Sequence, residues 1–133
     1  MQTTTGKRFA ISFLALVVAS VVFMASTALA NRVGFKTMLP RWLGHTNVVA
    51  GHKDSYWSSN AYVRIHPGYK NGWYWVDRIG QGQVTDHYFV ASGTWNTLPY
   101  YDDGRWTGST MLRGHQEWWG PGADYVAGVA NFG

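Results

Sequence analysis

Tryptophan and tyrosine are the side chains whose number in this sequence could support chemistry. All eight Trp and all eight Tyr lie after residue 30. Flat aromatic rings dock against sugar rings and lipid head groups, and the indole N–H and phenol O–H groups make hydrogen bonds. The 103 residues after residue 30 can hardly bury sixteen such rings completely, so several should contact solvent. An exposed aromatic surface of this kind predicts a binding function.

Several of these rings stand in polar surroundings. Trp57 precedes a Ser-Ser-Asn segment, and Trp118 and Trp119 lie between a glutamate and a Gly-Pro-Gly loop. Trp73 and Trp75 alternate along one predicted strand that is bulky on both faces. Such a strand is either a central one covered on both sides or one with an aromatic face open to a ligand. We expect two arginines to bind an anionic group of the ligand. The expected ligand-binding residues are Trp57, Tyr62, Trp73, Trp75, Trp118, Trp119, Arg64 and Arg113.

Histidine is the other side chain whose grouping could do chemistry, with five residues after residue 30. His45, His52 and Asp54 form one cluster in the sequence, and His115 with Glu117 forms another. Neither cluster matches a zinc spacing, and the chain has no cysteine to supply a thiolate. We therefore expect histidines that make hydrogen bonds, with no bound metal and no cofactor.

The sequence contains few of the residue patterns that are typical of enzymes. The chain has no Gly-x-Ser-x-Gly segment, and a cysteine nucleophile is impossible. A pair of carboxylates for glycoside cleavage would have to come from seven acids, of which Asp102, Asp103 and Glu117 are the best placed to face a groove. The Asp-Asp-Gly segment also resembles the start of a calcium loop, but the later acidic ligands are missing, so a tight turn explains it better. We expect no enzymatic activity, and a small secreted hydrolase is the least favoured interpretation.

The N-terminal segment has the features of a signal peptide. Lys7 and Arg8 precede an apolar run over residues 9–25, and Ala28-Leu29-Ala30 supplies small residues at a cleavage site. A retained membrane anchor is the competing interpretation, since this mostly apolar run of 17 residues approaches the ~20 that span a bilayer. We expect cleavage after residue 30, a secreted, extracellular protein and no stable membrane span after cleavage.

Charge after the leader is modest and scattered. Nine Lys and Arg stand against seven Asp and Glu from residue 31 onward, with no basic stripe. This distribution argues against nucleic-acid binding. It leaves open a mild attraction to an anionic bacterial surface. The lack of cysteine favours a bacterial exported protein.

The sequence after the leader predicts short strands separated by closely spaced turns. Residues 31–40 look like an irregular arm. Alternating side chains predict strands, while Gly, Pro and Asp-Gly segments predict turns. The predicted strands are 47–50, 61–66, 73–79, 83–91, 94–101 and 105–112, with 61–66 pairing 73–79 and 94–101 pairing 105–112 as hairpins. The fold class is therefore all-β, a small single-domain antiparallel sandwich or open barrel over residues 41–133.

A family resemblance rests on three segments. The sequences Trp-Ser-Ser-Asn-Ala-Tyr at 57–62 and Ala-Ser-Gly-Thr-Trp at 91–95, with Tyr100 and Tyr101 behind them, resemble the secreted lactococcin-type bacteriocins of Gram-positive bacteria. The chain lacks that family's histidine-rich stretch after the tyrosine motif and extends some thirty residues past the last tyrosine pair. The resemblance implies a cysteine-free β-sandwich that binds a cell-wall precursor such as lipid II without catalysis.

We therefore expect a bacteriocin-like protein that binds a bacterial cell-envelope component through aromatic side chains. A second interpretation is a secreted interaction subunit or inhibitor, in which the arm at residues 31–40 adds as a strand to the sheet edge of a protein partner.

Overall fold

The computed structural model describes residues 32–41, 44–118, 120 and 122–133. They belong to the unit Asn31–Gly133. The signal peptide expected at residues 1–30 and the candidate Trp119 lie outside the described residues. One turn of 3₁₀ helix, Tyr101–Gly104, accompanies nine described strands. The strands are β1 Arg32–Pro40, β2 Thr46–Lys53, β3 Asn60–Ile65, β4 Gly72–Arg78, β5 Gly82–Gln83, β6 Tyr88–Val90, β7 Trp95–Pro99, β8 Gly108–Gln116 and β9 Ala123–Asn131.

The strands form two antiparallel sheets, which confirms the all-β sandwich. One sheet has the order β1-β9-β3-β7, and the other has the order β2-β8-β4-β5, with β6 also paired to β4. Alternation in the longer strands sends one set of side chains into the core, as in β3, where Ala61, Val63 and Ile65 are buried. The core between the sheets includes Leu39, Val63, Ile65, Tyr74, Val76, Val90, Leu98, Leu112, Val126 and Phe132.

The expectation of an irregular arm at residues 31–40 is wrong, because nearly all of this segment is strand β1. It pairs with β9 without a break from Arg32 opposite Asn131 to Pro40 opposite Ala123. Inward-facing apolar residues of β1 pack against the core, which stabilises the strand although it ends in proline. This segment is already paired with β9 and is therefore not a free arm, while the interpretation of the protein as an interaction subunit stays a prediction.

The two predicted hairpins are also wrong in their pairing, although each contains real strands. β3 belongs to the four-stranded sheet and β4 to the five-stranded sheet, and β7 and β8 are divided in the same way. The connections therefore cross from one layer to the other. In the second connection, Asp102 and Asp103 have φ values of 53° and 56°, and Gly104 packs where a Cβ would lie 2.4 Å from the carbonyl oxygen of Ser58. The tight turn predicted here is present, but it connects strands of different sheets instead of the two strands of a hairpin.

The predicted strand at 83–91 is interrupted at the edge of the five-stranded sheet. β5 places Gln83 opposite Asp77, whereas β6 places Tyr88 opposite Tyr74, so the edge holds two extra residues. The Thr85 hydroxyl accepts a hydrogen bond from the Val76 N–H at 2.9 Å, replacing the lost ladder bond. The irregular edge brings residue 87 over the outer face of the sheet, where the candidate site lies.

Candidate functional site

The outer face of the five-stranded sheet contains a cleft of about 530 Å³. This volume is within the range of small-ligand sites in proteins. The lining residues come from the segment just before β2, from β4, from β8 and from the irregular edge. They are Gly44, His45, Trp75, Asp77, Gly82, Gln83, His87, Arg113 and His115.

Strand alternation and register explain why these residues meet. In β4, Tyr74 and Val76 are fully buried in the core, so Trp75 and Asp77 point to the opposite face. Arg113 of β8 lies directly opposite Trp75 in the ladder. These three side chains form the middle of the cleft, and histidines complete its walls.

Trp75 is the floor of the cleft. Its side chain is only 5% exposed. The His87 ring stacks on the indole with centroids 3.8 Å apart and planes inclined by 15°. The rings of His45 and His115 approach it edge-on, each at 5.9 Å. Because His87 covers the indole, Trp75 supports the imidazoles and does not offer a ligand a free stacking surface.

Arg113 links the polar groups of the cleft. Its Nη1 donates to Asp77 Oδ2 at 3.1 Å, and its Nη2 donates to His45 Nδ1 at 2.7 Å. A guanidinium group only donates, so His45 Nδ1 is the acceptor and its Nε2 carries the hydrogen. The guanidinium carbon also lies 5.8 Å from the centre of the Trp75 ring. Arg113 is thereby held in one orientation at the wall of the cleft.

His87 is the cleft residue whose titration is perturbed. Partial burial lowers the pKa of His87, and the neighbouring imidazole of His115 lowers this pKa further. The carboxylates of Asp77 and Asp86 act in the opposite direction, and His45 again lowers the pKa. The net shift is downward, so His87 presents a neutral imidazole around neutral pH, with one nitrogen that donates and one that accepts.

The arrangement suits a polar ligand. Imidazoles donate and accept, the guanidinium donates, and the carboxylate accepts, so the cleft can hydrogen-bond hydroxyl groups and an anionic group. Among the described residues, no group of three or more His, Cys, Asp or Glu side chains is placed to hold a metal ion. The acids considered for hydrolysis, Asp102, Asp103 and Glu117, do not line the cleft.

Of the residues expected to bind a ligand, Trp75 and Arg113 line this cleft, and Trp73 lies beside it. Trp73 is half-buried on the same outer face, with its ring centroid 5.6 Å from that of Phe89. It therefore extends the aromatic surface next to the cleft. Tyr62 and Arg64 lie on the outer face of the other sheet.

Trp57 and Trp118 lie at separate positions in loops. Trp57 is 73% exposed, and the guanidinium carbon of Arg105 lies 4.8 Å from its ring. Trp118 lines a smaller cavity of about 170 Å³ together with Arg41, Lys70 and Asp124. The candidates from the sequence are thus spread over several surfaces instead of forming one.

The histidines of the cleft were not selected as ligand-binding residues from the sequence. Their spacing in the sequence groups His45 with His52 and Asp54. In the structure only His52 and Asp54 are in contact, with His52 Nδ1 2.7 Å from Asp54 Oδ1. Register brings His45 to the cleft, because the next residue, Thr46, pairs with Gly114 of β8. The alternation of Arg113 and His115 indicates that both side chains lie on one face of β8. Only the order of the strands shows that this face also contains Trp75 and His45.

Comparison with known proteins adds no relative. No family model, curated protein or solved structure matches the chain. In the part of the chain that the structure describes, no helix has the length and apolar character needed to cross a membrane.

Proposed function

We propose that this chain is a secreted, non-enzymatic binding protein whose cleft holds a polar component of the bacterial cell envelope. The observation that carries the proposal is Arg113, oriented by Asp77 and His45 at the wall of a cleft of about 530 Å³. A fixed guanidinium group binds a phosphate or carboxylate with good geometry because little side-chain freedom remains to be lost.

The chemistry of envelope components fits these groups. Cell-wall glycans and their precursors combine sugar hydroxyls with phosphate or carboxylate groups. Imidazoles of His45 and His87 would bond the hydroxyls, while Arg113 would bind the anion. The resemblance to lactococcin-type bacteriocins supports a cell-wall precursor as the ligand and antagonism of Gram-positive cells as the purpose.

Binding is favoured over catalysis by the way the polar groups are engaged. The Asp77 carboxylate accepts from Arg113 and so orients that guanidinium group. The His87 ring is packed flat on Trp75, which fixes the wall of the cleft. Such mutually supporting groups make a preformed site whose ligand need not react.

The test is co-sedimentation of residues 31–133 with intact Gram-positive cells and with isolated walls. This unit is suitable because every residue of the described core lies within it. We expect saturable binding, and we expect Arg113→Gln to weaken it by about ten-fold or more, the value of a charged hydrogen bond. Arg113→Lys should recover only part of the affinity, since lysine cannot make the forked contacts.

Arg105→Gln is the matched control, because it removes one exposed arginine that neither lines the cleft nor lies on the four-stranded sheet. Circular dichroism and urea unfolding confirm that each variant is folded. Absence of saturable binding, or equal binding by Arg113→Gln and wild type, contradicts the proposal. Weakening by Trp118→Ala but not by Arg113→Gln would place the ligand at the smaller cavity. Growth inhibition of the cells that bind the protein then tests the antagonism.

A further inference from the structure

The outer face of the four-stranded sheet concentrates positive charge. Arg32 and Lys36 of β1 are exposed and alternate with inward-facing residues that pack against the core. Arg64 of β3 lies between Val63 and Ile65, which are fully buried, so it points outward as well. Because all four strands are paired without a break in register, these cations share one continuous surface. We call this surface the basic face; its residues are Arg32, Met38, Lys36, Tyr62, Arg64, Trp95 and Tyr125.

The charge of the basic face is not neutralised within the sheet. Asp124 is the only acid in the four strands. It alternates with the outward-facing Tyr125 and lines the small cavity near Arg41 and Lys70. The outward positions of the described strands therefore carry three cations and no carboxylate. Uncompensated charge of one sign attracts an anionic partner.

The aromatic rings of this face are paired with the cations. The guanidinium carbon of Arg32 lies 5.0 Å from the centre of the Trp95 ring, and Lys36 Nζ lies 5.6 Å from that of Tyr125. A cation over a ring occupies the surface that a sugar would stack against. Sugar stacking is therefore not the chemistry that this arrangement favours.

Apolar atoms remain exposed between the charges. Tyr125 is 61% exposed, and its ladder partner Met38 is 43% exposed. Trp95 and Tyr62 are 41% and 38% exposed. Aromatic side chains among lysines and arginines suit the head-group region of a bilayer, where rings contact acyl chains and cations contact phosphates.

We propose that the basic face docks on the surface of a membrane with anionic phospholipid head groups. The proposal is independent of the ligand of the cleft, which lies on the other sheet. Charge complementarity brings the protein to the surface, and Met38 and Tyr125 contribute apolar contact that a purely ionic polymer would not use. Each cation near an anionic bilayer strengthens binding by about five-fold, so the three together contribute on the order of a hundred-fold.

The experiment measures co-sedimentation of residues 31–133 with vesicles of phosphatidylcholine alone and of phosphatidylcholine mixed with phosphatidylglycerol. We expect binding to the anionic vesicles and at least ten-fold weaker binding to the neutral ones. Binding should fall steeply between about 0.05 M and about 0.3 M NaCl, because salt screens exposed charges. The Arg32→Gln, Lys36→Gln, Arg64→Gln variant should lose most of the binding.

A second triple variant, Lys70→Gln, Arg78→Gln, Arg105→Gln, removes equal charge from elsewhere and should keep most of the binding. Met38→Ala, Tyr125→Ala should weaken binding about ten-fold or less without changing its salt dependence. Equal loss in the two triple variants, or equal binding to both vesicle types, overturns the proposal.

Binding to wall polymers without binding to vesicles also overturns the proposal, in favour of a polyanion. Arg113→Gln separates the two proposals, because it should lose wall binding and retain vesicle binding. Failure of one proposal is therefore visible while the other stands.

Discussion

The two outer faces of the sandwich handle charge in opposite ways. On the five-stranded sheet, Arg113 is paired with Asp77 and bound to His45, over a tryptophan that is almost fully buried. On the four-stranded sheet, the guanidinium group of Arg32 lies over the Trp95 ring, and the ammonium group of Lys36 lies over the Tyr125 ring. Paired charges act over a few ångströms and select a ligand by geometry, whereas unpaired charges act over a Debye length and select by sign.

The difference between the faces follows from the regularity of their ladders. The pairings within the four-stranded sheet keep their register throughout. The five-stranded sheet has one register shift between Asn47 and Val49 and two extra residues at its β5–β6 edge. Bulges turn side chains away from the regular pleat and create concave surfaces. An irregular sheet thus produces a cleft, while a regular one produces a continuous surface.

The strongest test of the comparison replaces one tryptophan on each face. Trp75→Ala should lower the free energy of unfolding by about 3–5 kcal/mol, because it removes a buried ring and leaves a cavity beneath three histidines. Trp95→Ala should cost about 1 kcal/mol or less, since this ring is 41% exposed. Urea unfolding followed by far-UV circular dichroism measures both values. Similar losses of unfolding free energy for the two variants would contradict the contrast between a buried tryptophan on one outer face and an exposed one on the other.

A smaller effect tests whether the inner faces also differ in how their polar groups are paired. Tyr100, at the end of the four-stranded sheet, donates its hydroxyl to the carbonyl oxygen of Phe132 at 2.8 Å. Tyr74, on the five-stranded sheet, has a buried hydroxyl with no hydrogen-bond partner among the described residues. Tyr100→Phe should therefore cost about 1–2 kcal/mol, and Tyr74→Phe should be neutral or stabilising.

Both tyrosine variants keep the aromatic ring, so each serves as a control for packing in the other. Burial raises the pKa of both hydroxyls far above the ordinary value for tyrosine, so both are neutral throughout the range in which stability is measured. A loss on Tyr74→Phe as large as that on Tyr100→Phe would contradict the assignment of hydrogen bonds.

The smallest expected effect is a pH dependence of the free energy of unfolding that comes from His87 in the cleft. Because the pKa of His87 is lowered by folding, the unfolded chain binds a proton at this residue more readily. The contribution of neutral His87 to the free energy of unfolding is complete above the ordinary histidine pKa of about 6.5, and it is lost as the pH falls below that value. The strands of the four-stranded sheet contain no histidine, so they contribute nothing comparable.

We expect wild type to lose stability faster than His87→Gln between pH values of about 6.5 and 5. Urea unfolding at several pH values gives the difference between the two proteins. Parallel curves for wild type and His87→Gln would exclude His87 as the source.

The strands were predictable to the extent that their signals were local. In β3 and β4, alternation correctly separated Val63 and Ile65 from Arg64, and Tyr74 and Val76 from Trp75. The same signal was present in residues 32–40, where it was mistaken for an irregular arm because short termini so often lack order. Alternation also looks the same whether a strand pairs with its neighbour in sequence or crosses to the opposite sheet, and this is why both hairpins were misassigned.

The candidate site was predictable only in part. Arg113 and Trp75 were selected by residue type, but nothing in the sequence separated them from Trp57 or Trp118, which lie elsewhere. Their convergence with His87 depends on a register between β4 and the interrupted edge. Such a register is set by packing and by hydrogen bonds such as that from Val76 to Thr85, which sequence distance does not encode.

The sequence by itself determined the class of fold, because the side-chain period of a strand is local and the abundant aromatic and glycine residues suit strands and turns. Only the tertiary structure decided which sheet each strand joins, since that choice depends on how two inner faces fill one core. It also decided the burial of Lys53, whose ammonium donates to the carbonyl oxygens of Ser55 and Trp106. The cleft and the basic face arise at this level, because each gathers residues that are distant in the chain and adjacent only across hydrogen-bonded strands.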